Sequence, residues 1–263
     1  MEFNFYLFLF GTGAAVGFLS GLLGIGGGII MFPLLLYVPP IFEFEPIPIK
    51  YITGLTMAQG FFASLSAMFF YNRQKLVNKS LVLTLGLSLF LSSLAGSLCS
   101  KWVSDSILLL VFGLLAATAS VMMFIPRTYA NDDLTEDSVS FHKPTAIAAG
   151  IMIGLLIGLV GQGGAFIIIP VMLYILKIPL RVTLGSTLAI GLFSASAGLT
   201  GKMLTGQVPY SMALAMLLGA IPVAQLGGIV SKKTSTQFLR WLLAAIISAT
   251  AIKVFADIFL PKK

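Results

Sequence analysis

Residues 13–37 read GAAVGFLSGLLGIGGGIIMFPLLLY, and residues 150–174 read GIMIGLLIGLVGQGGAFIIIPVMLY. Aligned without a gap at an offset of 137, the two stretches are identical at 12 of 25 positions. The identities include six pairs of glycines, one pair of prolines and the final tyrosines. An apolar segment that occurs twice, and that glycines interrupt at corresponding places, is a pattern that indicates a transporter's binding site.

The composition places the chain in a membrane. It is 58% hydrophobic and 10% charged, with a mean hydropathy of +1.02, whereas about a quarter of the residues of a soluble domain are charged. Most of the surface must therefore meet lipid, and we predict a multi-pass protein of the cell (inner or plasma) membrane. The net charge of +7 reflects basic residues placed singly or in pairs between apolar segments. These basic residues set topology, and we expect no nucleic-acid partner.

The chain divides into two repeats joined by a polar linker. We assign residues 1–125 to the first transmembrane repeat, 126–145 to the linker and 146–263 to the second repeat. Beyond the opening stretch the repeats align again at an offset of 131, with Lys50–Gly60 opposite Arg181–Gly191. The apolar stretches lie at 4–24, 29–38, 52–71, 80–100, 106–125, 145–161, 166–176, 183–200, 209–230 and 236–260.

Two of these stretches, 29–38 and 166–176, would reach only about 15 Å as helices, half of a bilayer's hydrocarbon core. If each glycine-broken segment enters and returns, three spans follow it in each half, and the second half is inverted. The distribution of Lys and Arg between the two sides favours inversion, although Lys262 and Lys263 oppose it. We predict an all-α polytopic membrane protein of two homologous, inverted repeats. Each repeat has a glycine-broken, re-entrant or discontinuous helix pair and three transmembrane helices.

Adjacent glycines interrupt both copies of the repeated stretch. Unwound backbone at membrane depth survives only where it is buried or lines a wet cavity. The free amides that begin the following half-helices would attract an anion. We predict substrate binding by both segments, Gly24, Ile25, Gly26, Gly27 and Gly28 in the first and Gly161, Gln162, Gly163, Gly164 and Ala165 in the second. The preceding stripes, Gly13-xxx-Gly17-xxx-Gly21 and Gly150-xxx-Gly154-xxx-Gly158, are instead predicted to pack helices together.

Polar side chains near the start of two spans are further candidates for the substrate site. An arginine fork suits oxyanions of sulfur or phosphorus, which makes Arg181 a candidate, whereas Lys50 is expected to extend to the interface. The hydroxyls of Thr56, Ser186 and Thr187 could donate to an anion or bond to their own helices. Three amides lie within apolar segments, and each should face a partner or water. They are Gln59, Gln162 and Gln225.

No Asp or Glu lies in the middle of an apolar stretch, so the sequence offers no support for proton coupling. A carrier driven by the anion's own gradient and the membrane potential fits better. An anion channel, or a transporter of another small organic anion, stays open as an alternative. With one cysteine, Cys99, and one histidine, His142, the chain has little from which to build a catalytic or metal centre. We therefore expect that the protein is not an enzyme and that it binds neither a metal nor a cofactor.

At these residues the chain resembles the sulfite exporter TauE/SafE family, also called the 4-toluene sulfonate uptake permeases. The resemblance rests on paired G-x-G-G-G-x(4)-P segments, here Gly24–Gly28 with Pro33 and Gly161–Ala165 with Pro170, each followed by a G-[ST]-type segment. It implies transport of sulfite, sulfonates, sulfoacetate or thiosulfate. We expect alternating access at a midplane site between the repeats, with a small anion and membrane lipid as partners; a homo-oligomer stays open. Because Gln162 and Ala165 replace Ile25 and Gly28, polar selectivity is expected mainly from the second copy.

Overall fold

The computed structural model describes residues 2–23, 27–71, 78–124, 141–161 and 165–259, and every regular element in these ranges is helical. Short 3-10 turns follow α2 and α4, and α7 continues as a π-helix over Val171–Ile175. Each predicted apolar stretch contains one helix. The helices are α1 Glu2–Leu23, α2 Gly28–Tyr37, α3 Ile49–Tyr71, α4 Lys79–Cys99, α5 Asp105–Phe124, α6 Lys143–Val160, α7 Ala165–Pro170, α8 Leu180–Leu204, α9 Tyr210–Lys233 and α10 Thr236–Phe259.

Seven of the described helices are long and apolar enough to cross a membrane: α1, α4, α5, α6, α8, α9 and α10. α3 has 23 residues, which extend about 34 Å and also suffice. By contrast, α2 has 10 residues and reaches about 15 Å. Large apolar side chains on the outer faces, such as Leu87 and Leu91 of α4, are exposed. The prediction of a polytopic helical membrane protein is confirmed.

Both predicted breaks occur at glycines with a left-handed backbone. Gly27 has φ of 76° and precedes α2, and Gly161 has φ of 76° and ends α6. This conformation is rare for residues that carry a Cβ, so glycine is the residue that allows each helix to end here. Residues 24–26 and 162–164 lie outside the described residues.

The first helix of each repeat packs along the fourth helix of the other repeat. Added Cβ atoms at Gly13, Gly17 and Gly21 of α1 would lie 1.9–2.5 Å from backbone oxygens of α9. The contacted residues of α9 rise from 216 to 224 in the same order, so α1 and α9 run parallel. The stripe Gly150, Gly154 and Gly158 of α6 packs on α4, where the added Cβ atoms would lie 2.0–2.8 Å from atoms of Ser88, Ser92 and Ser93. The prediction that both stripes are packing surfaces is confirmed, and the repeats interlock.

Two pairs of corresponding helices, α3 with α8 and α5 with α10, run antiparallel to each other. In the α3–α8 pair, Thr53 contacts Lys202 and Met57 lies at Gly198. In the α5–α10 pair, Gly113 lies against Val254, and Ser120 bonds to Ser248 at 2.7 Å. Both pairs are consistent with the inverted repeats that the sequence predicts. Most of the predicted linker lies outside the described residues, but its last residues are helical, since α6 begins at Lys143.

Candidate functional site

The second helix break lies directly against α3. A Cβ added at Gly161 would stand 2.1 Å from the backbone oxygen of Thr53, so no side chain separates α6 from α3 at this point. The hydroxyl of Thr56 is within hydrogen-bonding distance of the Gly161 carbonyl and of the carbonyls of Ile52 and Thr53. Thr56 therefore bonds to its own helix, one of the two roles that the sequence left open, and it also contacts the glycine segment at Gly161.

One turn beyond Thr56, on the same face of α3, lies the amide of Gln59. Its side chain is fully buried, and neither its oxygen nor its nitrogen has a hydrogen-bond partner among the described residues. Burying such an amide unpaired costs several kcal/mol, and lipid offers no substitute for water. Gln59 is thus an unsatisfied polar group near the second break. The other two predicted amides differ from it: Gln225 lies exposed on α9, and Gln162 is outside the described residues.

Lys202 in the last turn of α8 is fully buried. Its Nζ donates to the Thr53 hydroxyl at 2.9 Å, the Ser100 hydroxyl at 2.8 Å and the Gln207 side-chain oxygen at 3.0 Å. It also donates to the carbonyl of Leu159 at 3.1 Å, two residues before Gly161. We call Lys202, Thr53, Ser100, Gln207 and the Leu159 carbonyl the Lys202 cluster. This cluster places a lysine beside the second helix break.

The remaining predicted hydroxyls lie at the opposite end of α8. Ser186 accepts from the backbone N–H of Asn78 at 3.1 Å, and Thr187 bonds to the carbonyl of Thr183. The 15 residues from Thr187 to Lys202 correspond to about 22 Å of helix. Arg181 lies in the first turn of α8, and its side chain is outside the described residues. The described candidates therefore lie at two levels along the α3–α8 pair. Thr56, Gln59 and Gly161 are at one level, and Ser186 and Thr187 are at the other.

In the first glycine segment, the structure describes Gly27 and Gly28. A Cβ at Gly27 would meet Val16 and Ser20 of α1 at 2.8 and 3.4 Å, so α2 folds back against α1. The Ser20 hydroxyl is buried and has no partner among the described residues. Gly24, Ile25, Gly26, Gln162, Gly163 and Gly164 lie outside the described residues, as does the side chain of Ala165, which begins α7.

The sequence did not predict a role for Lys202, because the predicted apolar stretch ended at residue 200, whereas α8 continues to Leu204. A basic residue inside a span is itself a signal of function, but the shorter boundary assigned Lys202 to a loop. Its partners gave no local pattern, since three of the four come from other segments of the chain and the fourth, Gln207, lies in the turn after α8. Among the described residues, no group of three or more His, Cys, Asp or Glu could hold a metal ion.

The ten described helices, their two breaks and the buried polar site define a multi-pass helical membrane protein of the transporter class. The family described as sulfite exporter TauE/SafE matches residues 9–254. The chain belongs to this family.

Its relatives agree in class. A probable membrane transporter protein of Methanocaldococcus jannaschii is 27% identical over 267 residues, which cover 96% of this chain and 97% of the relative. Another from Xylella fastidiosa is 30% identical over 250 residues, with coverages of 93% and 92%. The Bacillus subtilis protein YunE, also described as a probable membrane transporter, is 24% identical over 262 residues, with coverages of 92% and 94%. No solved structure gives a significant match.

Proposed function

We propose that the protein moves small sulfur-containing anions, of the class of sulfite, sulfonates, sulfoacetate and thiosulfate, by alternating access between its two repeats. The main support for this proposal is that the amide of Gln59 is buried in α3 and has no hydrogen-bond partner among the described residues. A polar solute that enters the interior would form hydrogen bonds with this amide. In a purely structural core, an apolar side chain at this position would be more stable than an unpaired amide.

The position of Gln59 connects it with the helix break. Thr56 stands one turn away and holds the carbonyl at which α6 ends. We propose that the glycine-rich segment at 162–164, which lies outside the described residues, supplies backbone amides to the same region. The proposed substrate contacts are Thr56, Gln59, Arg181, Ser186, Thr187 and the two glycine segments at 24–28 and 161–165. The two levels of hydroxyls suit a path that an anion enters from one end and leaves at the other.

The transport activity can be tested with purified protein in liposomes. We expect saturable, temperature-dependent uptake of at least one anion from a panel of sulfite, thiosulfate, methanesulfonate and sulfoacetate. Flux of cations or neutral solutes with no response to any of these anions would contradict the proposal. Anion flux that does not saturate, with very high throughput, would identify the alternative, an anion channel.

Replacing Gln59 with methionine separates a substrate contact from a structural role. Methionine fills a similar volume without polar atoms, so Gln59→Met removes two unpaired groups, each worth about 1–3 kcal/mol when buried unsatisfied. We expect a higher Tm together with a loss of anion uptake of tenfold or more. Gln225→Met, on the exposed face of α9, is the matched control and should change neither quantity. A lower Tm with unchanged uptake would assign Gln59 a purely structural role.

A further inference from the structure

We propose that Lys202 is the residue that makes the substrate site select anions. This inference rests on the proposed function and adds to it the group that determines the sign of the substrate's charge. None of the sequence motifs includes Lys202, and its role follows from the way the Lys202 cluster is built.

The hydrogen bonds of the Lys202 cluster fit an ammonium group. The Thr53 hydroxyl donates its own proton to the carbonyl of Lys50 at 2.7 Å, and the Ser100 hydroxyl donates to the carbonyl of Ser97 at 2.6 Å. Both hydroxyls can therefore only accept from Lys202. The Leu159 carbonyl and the Gln207 side-chain oxygen carry no proton. An ammonium has three N–H groups and no acceptor, whereas the lone pair of a neutral amine would face four acceptors.

The amide of Gln207 is held in the orientation that this arrangement needs. Its nitrogen donates to the Ser100 hydroxyl at 3.1 Å and to the Thr205 hydroxyl at 3.0 Å, which leaves its oxygen facing Lys202. Gln207 is 3% exposed and Ser100 is fully buried. The polar groups around the lysine are thus fixed by their own partners and are ready to hold a cation without rearrangement.

Among the residues that the structure describes, none supplies a carboxylate to the positive charge of Lys202. The ion pair that the described residues form joins Lys253 to Asp257 of α10 at 3.5 Å, and the four groups that hold Lys202 are neutral oxygens. Neutral dipoles solvate the charge but leave its field in place. Charged residues within a membrane are costly, and where they occur they mark paths for substrates or ions. An anion entering this region would provide the missing opposite charge.

The charge lies next to the proposed substrate contacts. Leu159, which accepts from Lys202, is in the last turn of α6, two residues before the break at Gly161. The hydroxyl of Thr53 also accepts from Lys202, and the backbone carbonyl of Thr53 lies in close contact with Gly161. Thr56 holds the carbonyl of the same glycine, and Gln59 follows one turn later. The Lys202 cluster and the unpartnered amide therefore flank the same break.

The rival interpretation is that Lys202 only ties helices together, because its four bonds join α3, α6, the end of α8 and the turns after α4 and α8. Both interpretations, a residue that only links helices and a residue that selects for charge, predict a loss of stability when Lys202 is removed. They differ in the effect on the preference for a charged ligand over a neutral one of similar shape. That preference is therefore the quantity to measure.

The test is calorimetric titration of the purified full-length protein with methanesulfonate, an anion, and methanesulfonamide, its neutral analogue. We expect Lys202→Met to weaken methanesulfonate binding at least tenfold and to leave methanesulfonamide binding within about twofold. Lys202→Gln, which keeps hydrogen-bonding capacity without charge, should behave in the same way, and it replaces the methionine variant if that variant is not recovered from membranes. Lys101→Met, at an exposed neighbour of Ser100, removes the same charge at the same end and should retain the wild-type preference.

Ser100→Ala completes the comparison, because it removes one acceptor and leaves the charge. We expect a lower Tm with the preference for methanesulfonate retained. If Lys202→Met and Lys202→Gln weaken both ligands equally, or leave methanesulfonate binding unchanged, the assignment of Lys202 is overturned while the proposed function stands. If the wild-type protein binds neither methanesulfonate nor any other sulfur anion of the panel, the proposed function itself fails.

Discussion

Gly161→Ala should be among the most damaging single substitutions in this protein. The new Cβ would lie 2.1 Å from the carbonyl oxygen and 2.5 Å from the carbonyl carbon of Thr53, and these are backbone atoms that no rotamer change can move away. The residue also has φ of 76°, which costs about 1–2 kcal/mol for a residue with a Cβ. Overpacking adds about 1–3 kcal/mol, so we expect the free energy of unfolding to fall by about 2–5 kcal/mol.

Gly206→Ala is the control for the backbone conformation alone. Gly206 has φ of 71°, and no atom lies within 4 Å of its added Cβ. The substitution should therefore cost only the conformational part, about 1–2 kcal/mol. Thermal unfolding of both variants in detergent, together with anion uptake in liposomes, makes the comparison. Equal losses of Tm would mean that the close approach of α3 to the break contributes nothing to stability.

The same clash should also reach the proposed substrate site. Thr56 bonds to the carbonyl of Gly161, and Lys202 bonds to Leu159 and Thr53 on either side of the contact. A shift of α6 relative to α3 would disturb these bonds together. We therefore expect Gly161→Ala to abolish uptake even in the fraction of protein that remains folded, whereas Gly206→Ala should retain it.

The sequence was sufficient to predict the breaks because their cause is local. Adjacent glycines disfavour helix within a few residues of chain, and α2 indeed begins directly after Gly27 while α6 is capped by Gly161. The packing stripes were equally readable, since spacing of four residues puts small side chains on one face of a helix. The sequence did not identify the partner helices, because α1 meets α9 across about 200 residues of chain.

The Lys202 cluster could not be predicted for the opposite reason. Thr53, Ser100 and Gln207 are ordinary residues near the ends of different helices. The packing of α3 and α4 on α8 brings Thr53 and Ser100 to the nitrogen of Lys202, and the turn after α8 brings Gln207 there. The two levels of the candidate site also depend on this packing. Thr56 and Thr187 are equivalent in the sequence repeat, but the antiparallel packing of α3 and α8 places them toward opposite ends of this pair.

Gly17→Ala should destabilise the protein by weakening the contact between the two repeats. The Cβ would lie 2.5 Å from the carbonyl oxygen and 2.8 Å from the Cα of Ala220, so α1 and α9 would have to separate along their length. Alanine favours helix over glycine by about 1 kcal/mol, but overpacking of about 1–3 kcal/mol and the lost close contact should exceed that gain. We expect a lower Tm and a smaller fraction of protein that elutes as a single species.

Substitutions at two other helical glycines test whether steric contact causes the loss of stability in Gly17→Ala. Gly11 is on the same helix with no atom within 4 Å of its added Cβ, so Gly11→Ala should raise Tm through helix propensity alone. Gly154 is the equivalent of Gly17 in the second repeat, but its Cβ would first meet the hydroxyl of Ser92 at 2.0 Å. That hydroxyl can rotate, and the nearest backbone atom is 3.0 Å away. The Tm of Gly154→Ala should therefore lie between those of Gly17→Ala and Gly11→Ala. A loss of Tm as large as that of Gly17→Ala would mean that the Ser92 hydroxyl, which bonds to the carbonyl of Gly150, is held too firmly to yield.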